Sequence, residues 1–238
     1  MSVRLEAVIW DMDGVIADTA PYHFQAWRDV FQKRGIEFNL EDFRSQFGQR
    51  NDTIIRNAFK GNISPAAVDA IALEKEANYR QRVAPNVKPL PGAIELIRSL
   101  KNCGVKMALA SSSPVENIRL VIGGLGIAEY FAATVWGREV AEGKPSPQGF
   151  LLAAKKLKVT PQNCVVMEDS VAGVAAAKRA GMKCVAVTNT NPTEKLSEAD
   201  LVVDTLESVT VGDLVRLFHS RKRAKGVENG EVSGSHQT

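Results

Sequence analysis

What this chain lacks narrows the field first. It has three cysteines, Cys103, Cys164 and Cys184, an odd number without paired spacing, so neither a disulfide framework nor a cysteine metal cluster is indicated. Cys164 and Cys184 each open an apolar run, CVVM and CVAV, and read as small buried hydrophobes. No apolar stretch approaches the ~20 residues that cross a bilayer. No charged-then-apolar leader precedes Val8, so a soluble, cytoplasmic protein without a membrane partner is expected. Strong charge of one sign is missing too. The formal net charge is +3, and Arg221, Lys222, Arg223 and Lys225 outweigh Glu228 and Glu231 at the end, leaving the rest near +1. So neutral a body offers no broad field for nucleic acid, and RKRAK reads as a solvated end. No internal repeat is found.

What is present suits a packed globular protein: 238 residues, 45% of them apolar, which excludes disorder throughout. Short apolar runs recur at LEAVIW, VKMALAS, ATVW, NCVVME, KCVAVT and DLVV, each long enough for a strand and too short for a helix. Helical stretches separate most of them. GAIELIRSLKNCG places Ile94, Ile97 and Leu100 at helical spacing, SVAGVAAAKRAG stops at Gly181, and SPQGFLLAAKKL opens with Ser146 and Pro147 in cap and first-turn positions. This alternation implies an α/β fold, a Rossmann-like three-layer core with a mainly parallel sheet, whose chemistry belongs in loops at the carboxyl ends of the strands.

From about Asp18 to Lys88 the pattern changes to helices alone, in YHFQAWRDVFQKRG, EDFRSQFG, NDTIIRNAF and SPAAVDAIALEKEANYRQRV. The expected organisation is a core of residues 1–16 and 89–220, an all-helical insert at 17–88, and a polar tail at 221–238 that does not fold. The segment after Gly14 and the proline-rich VKPLPG would join insert to core, and two-point attachment permits hinge motion.

The stretch VIWDMDGVIADT carries the chemistry. At i and i+2 of an extended chain, Asp11 and Asp13 present two carboxylates together where the first strand ends, and Gly14 frees the backbone to turn away. Two such groups stay ionised together only beside a cation or several donors, and a hard divalent cation, Mg²⁺, is the simplest solution. Other strand ends offer Ser111 after VKMALA, Glu168 and Asp169 after CVVM, and Lys144 before the SPQG helix. A carboxylate nucleophile ringed by a hydroxyl, an ammonium and an acidic pair matches phosphoryl transfer through an aspartyl phosphate.

In order, WDMDGVIADT, LASSSP, GKPSP and MEDSVAG resemble the four motifs of the haloacid dehalogenase superfamily, in its β-phosphoglucomutase-like branch; the likeness covers residues 7 to about 205. The resemblance implies Asp11 as nucleophile and Asp13 as general acid/base. It implies Mg²⁺ held by Asp11, Asp169 and the backbone carbonyl of Asp13, with Glu168 in or beside that shell, and phosphate held by Ser111, Ser112 and Lys144. The namesake dehalogenases lack an acid at the position of Asp13, so phosphate rather than halide is the expected group.

Within that branch, Thr19 and His23 look like the residues that couple cap closure to the acid/base aspartate, although His23 also reads as a partly exposed helix residue one turn before Trp27. Lys75 and Arg50 fall at or near positions where the mutases contact substrate and its distal phosphate; Lys75 also reads as a solvated lysine, and Arg50 is offset by one residue. Ser113 is followed by Pro114 and Val115, where the mutase pattern has Lys-Asn and the sugar-phosphate phosphatases have proline. A phosphatase acting on a small phosphorylated metabolite is therefore favoured over a phosphomutase, and a monomer is expected. A receiver-like or scaffold protein on the same fold needs no insert of this size, and GGLG at 123–126 lacks the lysine and hydroxyl of a P-loop. Trp10, Trp27 and Trp136 read as packing residues, and Asp18 as a helix cap or a site residue.

Overall fold

All six apolar runs become strands in the computed structural model, which describes residues 4–219. The tail expected at 221–238 lies outside the described residues. The strands are β1 (Ala7–Trp10), β2 (Lys106–Ala110), β3 (Ala133–Val135), β4 (Cys164–Glu168), β5 (Lys183–Val187) and β6 (Leu201–Val203). They form one sheet in the order β3-β2-β1-β4-β5-β6, every neighbouring pair parallel. The strand order reverses between β1 and β4, and open α/β sheets place their ligands outside the carboxyl ends at such a point.

Period-two alternation sorts the strand side chains between two cores. On one face Val8, Trp10, Met107, Leu109, Val165 and Met167 pack against α5 (Ala93–Asn102), α6 (Val115–Gly124) and α9 (Val211–Arg216). On the other, Ala7, Ile9, Ala108, Ala110, Cys164 and Cys184 meet α7 (Gln148–Leu157) and α8 (Val171–Arg179). Burial pushes the Cys164 thiol up to about 12, so it behaves as an inert hydrophobe. α7 begins one residue later than its sequence suggests, with Pro147 in the cap position; Gly124 ends α6 and Gly126 takes a positive φ beyond it, so GGLG closes a helix.

Between β1 and β2 the chain forms α1 (Ala20–Gln32), α2 (Leu40–Gln46), α3 (Asn51–Ala58) and α4 (Pro65–Val83). They share a separate core that includes Trp27, Phe31, Phe43, Phe47, Ile55 and Ile71. The segments leading in and out run side by side: Asp18 N–H donates to Lys88 O (3.1 Å) and Leu90 N–H to Ile16 O (2.8 Å). Asp18 is exposed and does not cap α1; Thr19 takes the N-cap position and turns its hydroxyl elsewhere.

Candidate active site

β1 delivers Asp11 and Asp13 to the switch point, where both are buried, and the two carboxylates meet different neighbours. Asp11 faces the core. Its Oδ1 accepts from Lys144 Nζ at 2.8 Å, and the same ammonium pairs with Glu168. Burial, with the charges of Glu168 and Asp13, pushes Asp11 up to about 7 against the pull of Lys144. Lys144 is held well above the usual lysine range: burial opposes its charge, and Asp11 and Glu168 together outweigh that.

Glu168 is fixed from the opposite side. Its Oε2 accepts from the backbone N–H groups of Asp169 and Ser170, each at 3.0 Å, and from the Ser170 hydroxyl at 2.9 Å. α8 can lie this close because residue 173 is glycine; a Cβ there would overlap the Glu168 carboxylate. Asp169 accepts from Thr190 Oγ1, and Asn191 Nδ2 donates to its carbonyl at 3.1 Å. Burial, then the charges of Glu168 and Asp11, raise Asp169 well above the carboxylate range.

One carboxylate oxygen each from Asp11, Glu168 and Asp169 lies within 4.8 Å of the others. Asp169 Oδ1 and Asn191 Oδ1 are buried without a hydrogen-bond partner. Crowded, partly orphaned oxygen acceptors fit a hard divalent cation, which would also relieve the repulsion that raises Asp11 and Asp169. The carboxylate of Asp13 stands outside this cluster, turned toward the insert, in keeping with a metal set that uses only its backbone carbonyl.

There Asp13 Oδ1 accepts from Thr19 Oγ1 at 2.7 Å, His23 Nε2 at 3.1 Å and Tyr79 Oη at 3.4 Å, while Oδ2 accepts from Ser113 Oγ at 2.8 Å. Burial alone would raise this acid, but His23 and the two hydroxyls outweigh it and hold Asp13 well below the carboxylate range. Lys75 Nζ donates to His23 Nδ1 at 2.7 Å, which leaves the ring proton on Nε2, pointing at Asp13. The ring also stacks on Tyr79, centroids 3.9 Å apart.

Neither bland interpretation of these two residues survives. His23 is 5% exposed and Lys75 1%, the latter with its ammonium 2.8 Å from Glu76 and 4.9 Å from the centroid of the Trp27 ring. Burial disfavours the Glu76 anion, but the charge of Lys75 and the hydrogen bonds from Lys75 and Asn117 prevail and lower it below its ordinary range. Glu76 also accepts from Asn51 Nδ2 (2.7 Å) and from Asn117 Nδ2 (2.5 Å), and Asn117 on α6 accepts in turn from Arg80 (3.0 Å).

Ser111 Oγ accepts from Ser113 N–H at 3.1 Å beside the Lys144 chamber. Ser112 donates to the carbonyl of Gly48 in the insert at 2.6 Å. Arg50 does not reach the aspartates: it grips Asp52 through Nε and Nη2 (both 3.0 Å) and donates Nη1 to the carbonyls of Val140 and Ala141 (2.9 and 3.1 Å). The sequence interpretation missed Glu76, Tyr79, Asn117, Thr190 and Asn191.

A parallel sheet with this acid pair, ammonium and serine loop at its switch point defines a haloacid dehalogenase fold, and a model of the haloacid dehalogenase-like hydrolases matches residues 5–181. The chain belongs to that family. It is 35% identical over 214 residues to the β-phosphoglucomutase of Bacillus subtilis (strain 168), covering 87% of this chain and 92% of that protein. It is 33% identical over 187 residues to a fructose-1-phosphate phosphatase of Escherichia coli K12, covering 79% and 98%. The crystal structure of a β-phosphoglucomutase from Clostridium difficile superposes with a TM-score of 0.82 at 31% identity, over 90% of this chain and 97% of that one.

Proposed function

We propose that this chain is a Mg²⁺-dependent phosphatase of small phosphorylated metabolites such as sugar phosphates, working through an aspartyl phosphate on Asp11. The observation that carries the proposal is the opposed setting of the two aspartates: Asp11 lies against Lys144 beside the acidic cluster, and Asp13 is held by Thr19, His23, Tyr79 and Ser113. Asp11, Glu168 and Asp169, with the backbone carbonyl of Asp13, would hold Mg²⁺, which supplies positive charge against the phosphoryl oxygens.

Lys144 and Ser111 orient the phosphoryl group and offset its charge. In the first half-reaction a carboxylate oxygen of Asp11 bonds to phosphorus as the ester P–O bond breaks, and a protonated Asp13 gives its proton to the departing oxygen. In the second, water attacks that phosphorus, Asp13 takes a proton from the water, and Asp11 leaves with the bond electrons as inorganic phosphate departs. The donors now facing Asp13 suit its ionised form, the one needed for the second half.

Hydrolysis is favoured over a mutase because the arginine nearest the distal-phosphate position is engaged elsewhere: Arg50 makes four hydrogen bonds within the protein. Pro114, at the N-cap of α6, brings no donor side chain to the place where the mutase pattern has lysine.

The test is ³¹P NMR of the protein with Mg²⁺ and a panel of sugar phosphates that includes β-glucose 1-phosphate with a bisphosphate primer. Inorganic phosphate without isomer, lost in Asp11→Asn, is the expected result. Glucose 6-phosphate with little free phosphate would establish the mutase instead.

A further inference from the structure

The space around Asp11 and Asp13 is divided unequally. Beside the two aspartates lies a chamber of about 30 Å³, walled by His23, Trp27, Phe47 and the Ser111–Ser113 loop. A water needs roughly 10–15 Å³ by this measure, so a phosphoryl group nearly fills it. Asn51, Ser112 and Ser113 form a partition shared with a second cavity of about 700 Å³ between α3 and α4 on one side and the loops after β2 and β3 on the other. That volume lies within the range of about 300–1,000 Å³ typical of pockets that bury drug-sized ligands.

Its walls favour rings over charge. Pro65, Val68, Ala72 and Leu73 present an apolar surface from the insert, with Leu73 66% exposed, and Pro114 and half-buried Trp136 face it from the core. Most charged residues of the wall are already held by partners within the protein. Arg50 is tied to Asp52, Arg138 to Asp69, Glu76 to Lys75, and Arg80 to Asn117. Among the described residues that leaves Arg56 and Glu116, of opposite sign, and the charge of Arg80, whose partner Asn117 is neutral, so the wall keeps about one net positive charge beside its apolar surface.

We propose that the preferred substrate is a phosphate monoester whose uncharged alcohol carries a second ring, with the first ring at the partition and the second on Trp136 in the large cavity. This rests on the phosphatase reading and narrows its substrate class. A single six-carbon sugar leaves the apolar wall uncovered, and a bisphosphate places a charged end against that apolar surface, with Glu116 opposing Arg56 and Arg80.

The experiment compares kcat/KM for glucose 6-phosphate, p-nitrophenyl β-glucoside 6-phosphate and fructose 1,6-bisphosphate, by phosphate release with Mg²⁺, in the wild type and in Trp136→Ala. The two-ring ester is expected to lead glucose 6-phosphate by about ten-fold or more, chiefly in KM, as a well-filled pocket contact would give. The ratio should fall toward one in Trp136→Ala, and Trp136→Phe should restore most of it. Equal use of the two glucose esters, an unchanged ratio in Trp136→Ala, or preference for the bisphosphate overturns the proposal while the phosphatase stands. No phosphate from any of the three esters removes the phosphatase reading and this proposal with it.

Discussion

Asp11 and Asp13 leave the same strand two residues apart, yet one is surrounded by the sheet and the other by the insert. The partners of Asp11 come from the core: Lys144, Glu168 and, through the acidic cluster, Asp169. Of the four groups on Asp13, three come from the chain after Gly14, namely Thr19, His23 and Tyr79, and only Ser113 from the core. On the proposed mechanism, holding phosphate and moving a proton would then fall to different parts of the molecule. The first needs a rigid surround, and the second can be switched by the position of the insert.

The sharpest way to break the comparison is to remove the core carboxylate. Asp11→Asn should lower kcat by about 10⁴-fold or more, as loss of a nucleophile does, with no phosphoenzyme trapped on acid quench. On the insert side, His23→Ala is expected to lower kcat by roughly 10²-fold, the low end for a group serving acid–base transfer, and to leave the affinity for inorganic phosphate, measured by calorimetry, within about two-fold. Equal losses of affinity in both variants would erase the division.

Glu76 tests how the insert side is held in place. Glu76→Ala strands a buried Lys75 and should cost about 3–5 kcal/mol in urea unfolding. The sign of its pH dependence follows from its lowered value: its contribution is complete above about 4.5 and is lost as pH falls through the folded-state value. Calorimetric scans should therefore show the gap in Tm between wild type and Glu76→Gln narrowing on acidification below about pH 4.5. The smallest effect belongs to Asn117→Ala, roughly 1–3 kcal/mol for the buried partners it leaves unsatisfied, accompanied by faster hydrogen exchange in α4.

The sheet was legible because buried parallel strands are apolar on both faces and so stand out as unbroken runs. The core half of the site was legible for a related reason: strand ends fix where Asp11, Ser111, Glu168 and Asp169 must converge. The insert half was harder, though a signal existed. Val68, Ile71, Lys75, Tyr79 and Val83 follow one another at steps of three or four residues, which puts Lys75 on the buried stripe of α4. Ala20, His23, Trp27 and Val30 do the same for His23. Asn117, four residues before Val121, shares the buried stripe of α6 in the same way, but nothing comparable marks Thr190 or Asn191, which meet Asp169 from a distant segment. Pro147 shows the ordinary slippage of helix ends by a residue.

The ribbon formed by the two linkers bears on the order of assembly. β1 must find β2 across the whole insert, and for an unstructured chain the entropy of closing that loop is set before any strand pair forms. Asp18 lies against Lys88 and Ile16 against Leu90, so a folded insert begins and ends at one place. With its four helices assembled on their own aromatic core, the two strands would be separated only by residues 11–15 and by 91–105, which carry α5. The longest connection in the sheet would then close over a distance like that of the others, with the parallel pair prepared by a part of the chain that lies outside the sheet.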